Sequence, residues 1–152
     1  MIIPAKSSDA SVLTKIALES KAYWGYTVDQ IESWKEDLTI CPNIFDSWSG
    51  AKFMIDKEIA GFYFLNRANA NTCYVEFLFV RPKFIGENIG KQLIVHAIES
   101  CIAISCEVLY VLSDPHAESF YAKHGFKTIC HSESSIPGRF LPEMEFRFTE
   151  NN

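Results

Sequence analysis

The chain lacks any run of lysines and arginines. Its 14 basic residues are scattered among 19 acidic ones, and the formal net charge is -5. A polyanion needs a basic stripe to displace its counterions, so nucleic acid is not expected as a partner. Long apolar runs are missing too. No stretch approaches the roughly 20 residues that cross a bilayer, and the opening Met1-Ile2-Ile3-Pro4-Ala5-Lys6 has no apolar core of the length of a secretory leader. The five cysteines, Cys41, Cys73, Cys101, Cys106 and Cys130, include no Cys-x-x-Cys pair, the spacing of zinc ribbons and thioredoxin-like motifs. The expectation is therefore reduced thiols, no metal, no membrane and a cytoplasmic protein. Repeats, low-complexity segments and linkers are also absent, so one domain over residues 1–152 is expected.

What is present is an ordinary globular composition, 48% hydrophobic and 22% charged, enough to bury a core. Asp9 is placed to cap a first helix with Val12, Leu13, Ile16 and Ala17 on one face. Thr27 followed by Gln30 reads as a capping box for a second helix carrying Ile31, Trp34 and Leu38, ended by Cys41-Pro42-Asn43. Segments 51–55 and 59–65 flank Asp56-Lys57-Glu58 as a hairpin, and 67–72 is a polar turn. Residues 73–80 are apolar or aromatic apart from Glu76, the pattern of a strand buried on both faces. From Ile89 the period changes to that of a helix, through Leu93, Ala97, Ile98, Cys101 and Ile102. A buried strand at 108–112 and a short helix at 117–124 follow, with Gly125 just past the helix end; then comes a strand at 126–130. Met144, Phe146 and Phe148 alternate with Glu145 and Arg147, as in a half-exposed last strand. This order predicts a layered α/β or α+β sheet.

The most informative stretch is Val75 to Leu93, in which an apolar strand runs into a glycine-bearing loop that opens a helix. Free amides at a helix N-terminus, aided by the helix dipole, bind anions, and glycines let phosphate oxygens approach the backbone. Two glycines before a helix also occur in plain strand-to-helix turns.

This stretch resembles motif A of the GNAT acetyltransferases. Val80-Arg81-Pro82 matches the strand end, and Gly86 and Gly90 fall on two glycine positions of the Arg-Gly-x-Gly-x-Gly loop. Ile85 stands where Arg or Gln is usual, and Asn88 where the middle glycine is usual; Asn tolerates a left-handed backbone better than most residues. Downstream, Ser113 to Phe126 resembles GNAT motif B, with its Ala117, Phe120-Tyr121 and Gly125-Phe126 frame intact and His116 near the usual Asn. Looser similarity to a widespread GNAT subgroup covers residues 20–26 and 135–144.

The resemblance implies a mixed, mostly antiparallel twisted sheet flanked by helices in three layers, opened near Val80. It implies acetyl-CoA as co-substrate and no metal. Backbone groups of Leu78, Phe79 and Val80 would pair with the pantetheine arm. Amides of Ile85, Gly86, Glu87, Asn88, Ile89, Gly90 and Lys91 would hold the pyrophosphate, and His116, Ala117 and Phe120 would complete the cofactor contacts. Tyr121 is the candidate acid for the leaving thiolate, or else a half-buried aromatic with a wet hydroxyl. Glu76 is the candidate base, its pKa raised on a buried strand, or else an ion-pair partner or substrate contact. Trp24, Tyr23 and Trp34 would wall the acceptor side, with Tyr26 as a further substrate contact, although core packing is the alternative for such aromatics. Arg139 is an anion or substrate contact, or a salt-bridge partner. His96 and His131 lie outside both motifs.

The expected reaction is acetyl transfer to a primary amine of a small molecule through a direct ternary complex. The rival readings are a CoA-binding module without turnover and an enzyme acting on proteins. A homodimer is expected through the aromatic-rich segment 140–148, read as an apolar edge.

Overall fold

The computed structural model describes residues 1–148. Its elements run β1 (Ile2–Pro4), α1 (Ala10–Tyr23), α2 (Val28–Leu38), β2 (Ser49–Ile55), β3 (Glu58–Arg67), β4 (Thr72–Val80), α3 (Ile89–Ala103), β5 (Val108–Leu112), α4 (Glu118–Lys123), β6 (Lys127–Glu133) and β7 (Phe140–Arg147). The strands form one seven-stranded sheet in the order β1-β2-β3-β4-β5-β7-β6. It is mixed and mostly antiparallel: β4 and β5 run parallel, while β1–β2, β5–β7 and β6–β7 are antiparallel. The expected fold class is thus the observed one. No helix among the described residues is long and apolar enough to cross a membrane.

The chain divides into two compact units. The first comprises Met1–Phe64 and Phe77–Leu93, the second Leu65–Glu76 and the chain from Ile94 onward. In the first, Leu13, Ile16 and Ala17 of α1 pack in one cluster with Leu38, Ile40, Ile59, Phe62 and Phe64. Val12 falls outside this face and is 38% exposed, because residues 13, 16 and 17 already occupy the one-turn stripe that a helix buries. Asp9 sits at the N-cap position of α1 but makes no capping hydrogen bond there. Its carboxylate accepts the Lys6 backbone N–H at 2.9 Å and the Lys52 ammonium at 2.8 Å instead. The Thr27/Gln30 capping box forms as expected, with both reciprocal bonds made. β2 and β3 are joined at a tight turn where Asp56 takes φ 54°. The short strand β1, paired with β2 through Ile3↔Lys52, was not foreseen; three residues are too few to show a period.

In the second unit the parallel pairing of β4 with β5 runs from Thr72↔Val108 to Val75↔Val111. Three expectations need correction here. The strand now numbered β4 is not buried on both faces, since Tyr74 and Glu76 are exposed while Cys73 and Val75 are buried. The strand alternates like one that covers a core on a single side. Ile102 on α3 is 59% exposed, whereas Leu93, Ile94, Ala97 and Cys101 are fully buried. Finally, β7 is the last strand and alternates in burial as expected, but it is not an edge: it pairs with β5 through Leu109↔Phe146 and with β6 through Thr128↔Met144. The strand at the end of the sheet order is β6, so segment 140–148 does not offer the free apolar edge on which the expected dimer contact rested.

Candidate active site

In the first unit, β4 ends in a clamp. The Arg81 backbone N–H donates to the Ala60 carbonyl at 2.8 Å, and its Nε donates to the Ile59 carbonyl at 2.9 Å. Its guanidinium also lies 3.5 Å from Glu19 and 3.6 Å from Glu58. The strand end is therefore fixed before the loop begins. Pro82–Phe84 form a 3-10 turn, a conformation that proline's fixed φ favours. Gly86 then takes φ 95° and Asn88 φ 61°, with Glu87 between them outside the left-handed region. The Ile85 N–H donates to the Pro82 carbonyl at 3.1 Å and the Glu87 N–H to the Phe84 carbonyl at 3.3 Å, so these two amides, expected at the pyrophosphate, already make turn bonds. A Cβ on Gly86 would meet nothing within 4 Å, so glycine is required there by its dihedral rather than by packing. Asn88 adopts the left-handed geometry expected of it, standing in for the usual glycine.

The Asn88 carbonyl accepts the Gln92 N–H at 3.1 Å and so starts α3. Ile89, 2% exposed, anchors the helix start, while Ile85, Glu87, Asn88 and Lys91 are exposed and Gly90 is half-buried. The first amides of a helix have no acceptor within it, so those of Ile89, Gly90 and Lys91 remain available to an anion. On β4, Phe79 packs toward Phe62 with centroids 6.0 Å apart, and Phe77 toward Phe64 at 6.0 Å. Leu78 and Val80, half-buried, therefore point to the opposite face. Of the aromatics around the α1–α2 turn, Trp34 packs against the core cluster, whereas Tyr23 and Trp24 lie at the surface. Trp24 is 45% and Tyr23 53% exposed, while Tyr26 and Trp34 meet edge to face at 4.8 Å beneath the Lys21 ammonium, 5.7 and 5.4 Å from the two ring centroids.

The second unit carries Glu76, Tyr121, His116, Ala117, Phe120 and Arg139. Glu76 is exposed and accepts a hydrogen bond from Asn66 Nδ2 at 2.9 Å. It lacks the burial expected of it. Tyr121 is 6% exposed, its ring packed edge-on against Phe120 and Phe126. Its hydroxyl makes no hydrogen bond among the described residues. Loss of solvation pushes the phenol well above its ordinary pKa, so it stays protonated. Arg139 is paired: its NH2 donates to Asp114 Oδ2 at 3.0 Å, and both side chains are 15% exposed. This is the salt bridge named as the alternative to an anion or substrate contact. The other Asp114 oxygen accepts the His116 backbone N–H at 2.9 Å and lies 2.8 Å from His116 Nδ1. Sequence reasoning passed over Asp114, though its signal was visible: an Asp directly before a proline is an N-cap signature, and Asp114 caps the turn Pro115–Ala117. Asn66 carried no such signal. His131 lies exposed on β6 with Nε2 3.9 Å from Glu118, and His96 is half-buried on α3.

Among solved structures, the GCN5-related N-acetyltransferase from Rhodopseudomonas palustris is similar over 97% of this chain and 95% of its own, at 20% identity and a TM-score of 0.79. The PaiA N-acetyltransferase from Thermoplasma acidophilum, in complex with coenzyme A, is similar over 97% and 98% at 22% identity and a TM-score of 0.77. A GNAT acetyltransferase from Elizabethkingia anophelis with acetyl-CoA bound is similar over 97% of each chain at 16% identity and a TM-score of 0.68. At these identities the likeness is one of fold. Comparison with curated protein sequences gives no match. Residues 19–147 match the acetyltransferase (GNAT) domain family, and the chain belongs to that family, whose reaction is acyl transfer from acetyl-CoA.

Proposed function

We propose that this protein transfers the acetyl group of acetyl-CoA to the primary amine of a small molecule in a direct ternary complex. The observation that carries the reading is the start of α3, where Gly86 at φ 95° and Asn88 at φ 61° shape the entering loop and the amides of Ile89, Gly90 and Lys91 have no acceptor within the helix. Those residues fit a pyrophosphate without needing the arginine that Ile85 replaces, because the donors are main-chain groups. Leu78, Phe79 and Val80 continue β4 beyond Val75, the last residue in register with β5, and their main chain suits an extended amide-bearing arm. His116, Ala117 and Phe120 complete the cofactor contacts in this reading.

Acetyl-CoA supplies the activated thioester; the chain supplies position and protons. Tyr121 is held neutral by burial and bonds to no acceptor among the described residues, so it donates its hydrogen to the departing sulfur. Glu76, exposed and steadied by Asn66, attracts the acceptor's ammonium and accepts its proton directly or through water. Trp24 and Tyr26 present aromatic surface at the α1–α2 turn, suited to an alkylammonium acceptor. The net charge of -5 also favours a cationic amine.

The test is coenzyme A release, followed by thiol detection, over a panel of small amines and lysine peptides. Turnover with a small amine, and none with Gly90→Asp, supports the proposal; the aspartate places bulk and like charge at the helix start. Acetyl-CoA binding without turnover on any acceptor would favour the module reading, and turnover confined to peptides would favour a protein acceptor.

A further inference from the structure

Three thiols far apart in the sequence meet in the second unit. Cys73 stands on β4, Cys101 near the end of α3 and Cys106 just before β5. Their Sγ atoms all lie within 4.8 Å of one another. Cys73 and Cys101 are 0% exposed and Cys106 is 4% exposed. None belongs to the glycine loop or to the acid and base positions.

The backbone builds this cluster. Ser105, at φ 57°, turns the chain out of α3, and the Cys106 N–H donates back to the Cys101 carbonyl at 3.0 Å. The N–H groups of Glu107 and Val108 both donate to the Asn71 carbonyl, at 2.9 and 3.1 Å. That ties Cys106 beside the start of β4, two residues ahead of Cys73. The Cys106 thiol itself lies 3.2 Å from the Asn71 carbonyl and 3.1 Å from that of Val108. Main-chain bonds thus fix the three Cα positions, and rotation about the side chains sets the sulfurs.

We propose that Cys73, Cys101 and Cys106 form a binding site for one divalent d10 cation, zinc in the cell, which clips the start of β4 to the end of α3. Thiolates select such cations. A zinc–sulfur bond of about 2.3 Å places three ligand sulfurs about 4 Å apart, so the cluster needs only a small contraction. Charge decides between candidate ions. Three thiolates around a divalent cation leave one negative charge, whereas a cuprous ion would leave two, and an apolar interior opposes the larger value. Burial pushes the Cys73 thiol up to about 11, with Cys106 adding to the rise, while the Arg67 guanidinium acts on it in the opposite direction. That guanidinium, held by the carbonyls of Ala70 at 3.2 Å and Ile104 at 3.4 Å, offsets the remaining charge. On binding, three S–H bonds break and three metal–sulfur bonds form. The three protons go to solvent, and nothing is oxidised or reduced. Entry runs through the exposed segment Ile102–Ser105 by local opening.

The experiment uses the full chain carrying Cys41→Ser and Cys130→Ser, which removes the two exposed thiols, titrated with Cd2+ under a phosphine reductant. The expected result is saturation at one Cd2+ per chain with thiolate-to-cadmium charge-transfer absorption, release of protons, a raised Tm, and displacement of the signal by Zn2+. Cys106→Ala in the same background should bind on the order of 100-fold more weakly and lose the Tm rise. No charge-transfer band in the folded protein, or equal binding by the Cys106→Ala chain, overturns the proposal. Should that variant not fold, alkylation of the three thiols during transient opening decides: protection by Cd2+ supports the site, and an unchanged rate refutes it.

Discussion

Gly61 on β3 faces the main chain of β4 so closely that a Cβ there would lie 2.8 Å from the carbonyl oxygen of Phe79, and 3.2 and 3.3 Å from the side chains of Leu93 and Ile89. The missing side chain lets β3, β4 and the first turn of α3 meet at the strand proposed to carry the pantetheine arm. Gly61→Ala must therefore displace backbone, an overpacking cost of about 1–3 kcal/mol. Its urea midpoint should fall, and calorimetry on the folded protein should show weaker acetyl-CoA binding. An unchanged midpoint would mean that the strands separate more readily than their packing indicates.

Asn88 supports a comparison of two substitutions. Its φ of 61° costs an alanine about 1–2 kcal/mol, whereas glycine adopts it freely. Asn88→Ala should lower stability by about that amount and weaken acetyl-CoA binding several-fold through a reshaped loop. Asn88→Gly should bind within about twofold of the parent. Equal affinity for the alanine and glycine variants would show that the loop's hand does not matter to the ligand.

Asp9 and Lys52 set an acid limit on stability. Partial burial raises the Asp9 pKa, but the Lys52 ammonium and the Lys6 N–H outweigh this and hold it below the ordinary aspartate value of 3.8. A carboxylate depressed in the folded state contributes stability above its unfolded pKa and loses it as pH falls through the folded value. The contribution is thus intact above about pH 4 and fades below it. Asp9→Ala should remove that acid-side loss, and at neutral pH it should cost up to about 3 kcal/mol because Lys52, 6% exposed, keeps a charge without its partner. Denaturant curves at pH 7 and pH 3 measure both effects.

Some of this was legible in the chain and some was not, for physical reasons. Local rules wrote the Thr27/Gln30 box, the hairpin at Asp56-Lys57, the left-handed Asn88 and the helix stop at Gly125, because each depends on residues within a turn of one another. Long-range pairing was not written locally. Met144 and Phe146 alternate as any one-sided strand does, and only the registers Leu109↔Phe146 and Thr128↔Met144 reveal that β7 has a neighbour on each side. Glu76 read as buried because its neighbours are apolar, yet apolar neighbours on one strand point alternately to both faces. The Cys73, Cys101 and Cys106 cluster has no spacing signature at all; the fold alone assembles it.

Tyr121 gives the sharpest test of the proposed chemistry. Its ring is packed against Phe120 and Phe126, while its hydroxyl makes no hydrogen bond among the described residues. Tyr121→Phe therefore keeps the packing and breaks no bond, and stability should stay within about 0.5 kcal/mol or rise slightly, since no buried partner is orphaned. Acetyl-CoA affinity should be unchanged, because the proposed phosphate and pantetheine contacts are main-chain groups elsewhere. Turnover should behave differently. A positioned donor to the leaving sulfur is worth on the order of 100-fold or more in rate, and an interaction made mainly in the transition state appears in kcat rather than in the acceptor KM. Because burial holds the phenol neutral, its loss should be felt across the whole neutral pH range rather than on one limb of the profile. Steady-state kinetics at several pH values, alongside thermal unfolding, measure all of this. A phenylalanine variant that retains turnover within about threefold of the parent leaves no role for a positioned acid and assigns the proton on the leaving thiolate to water.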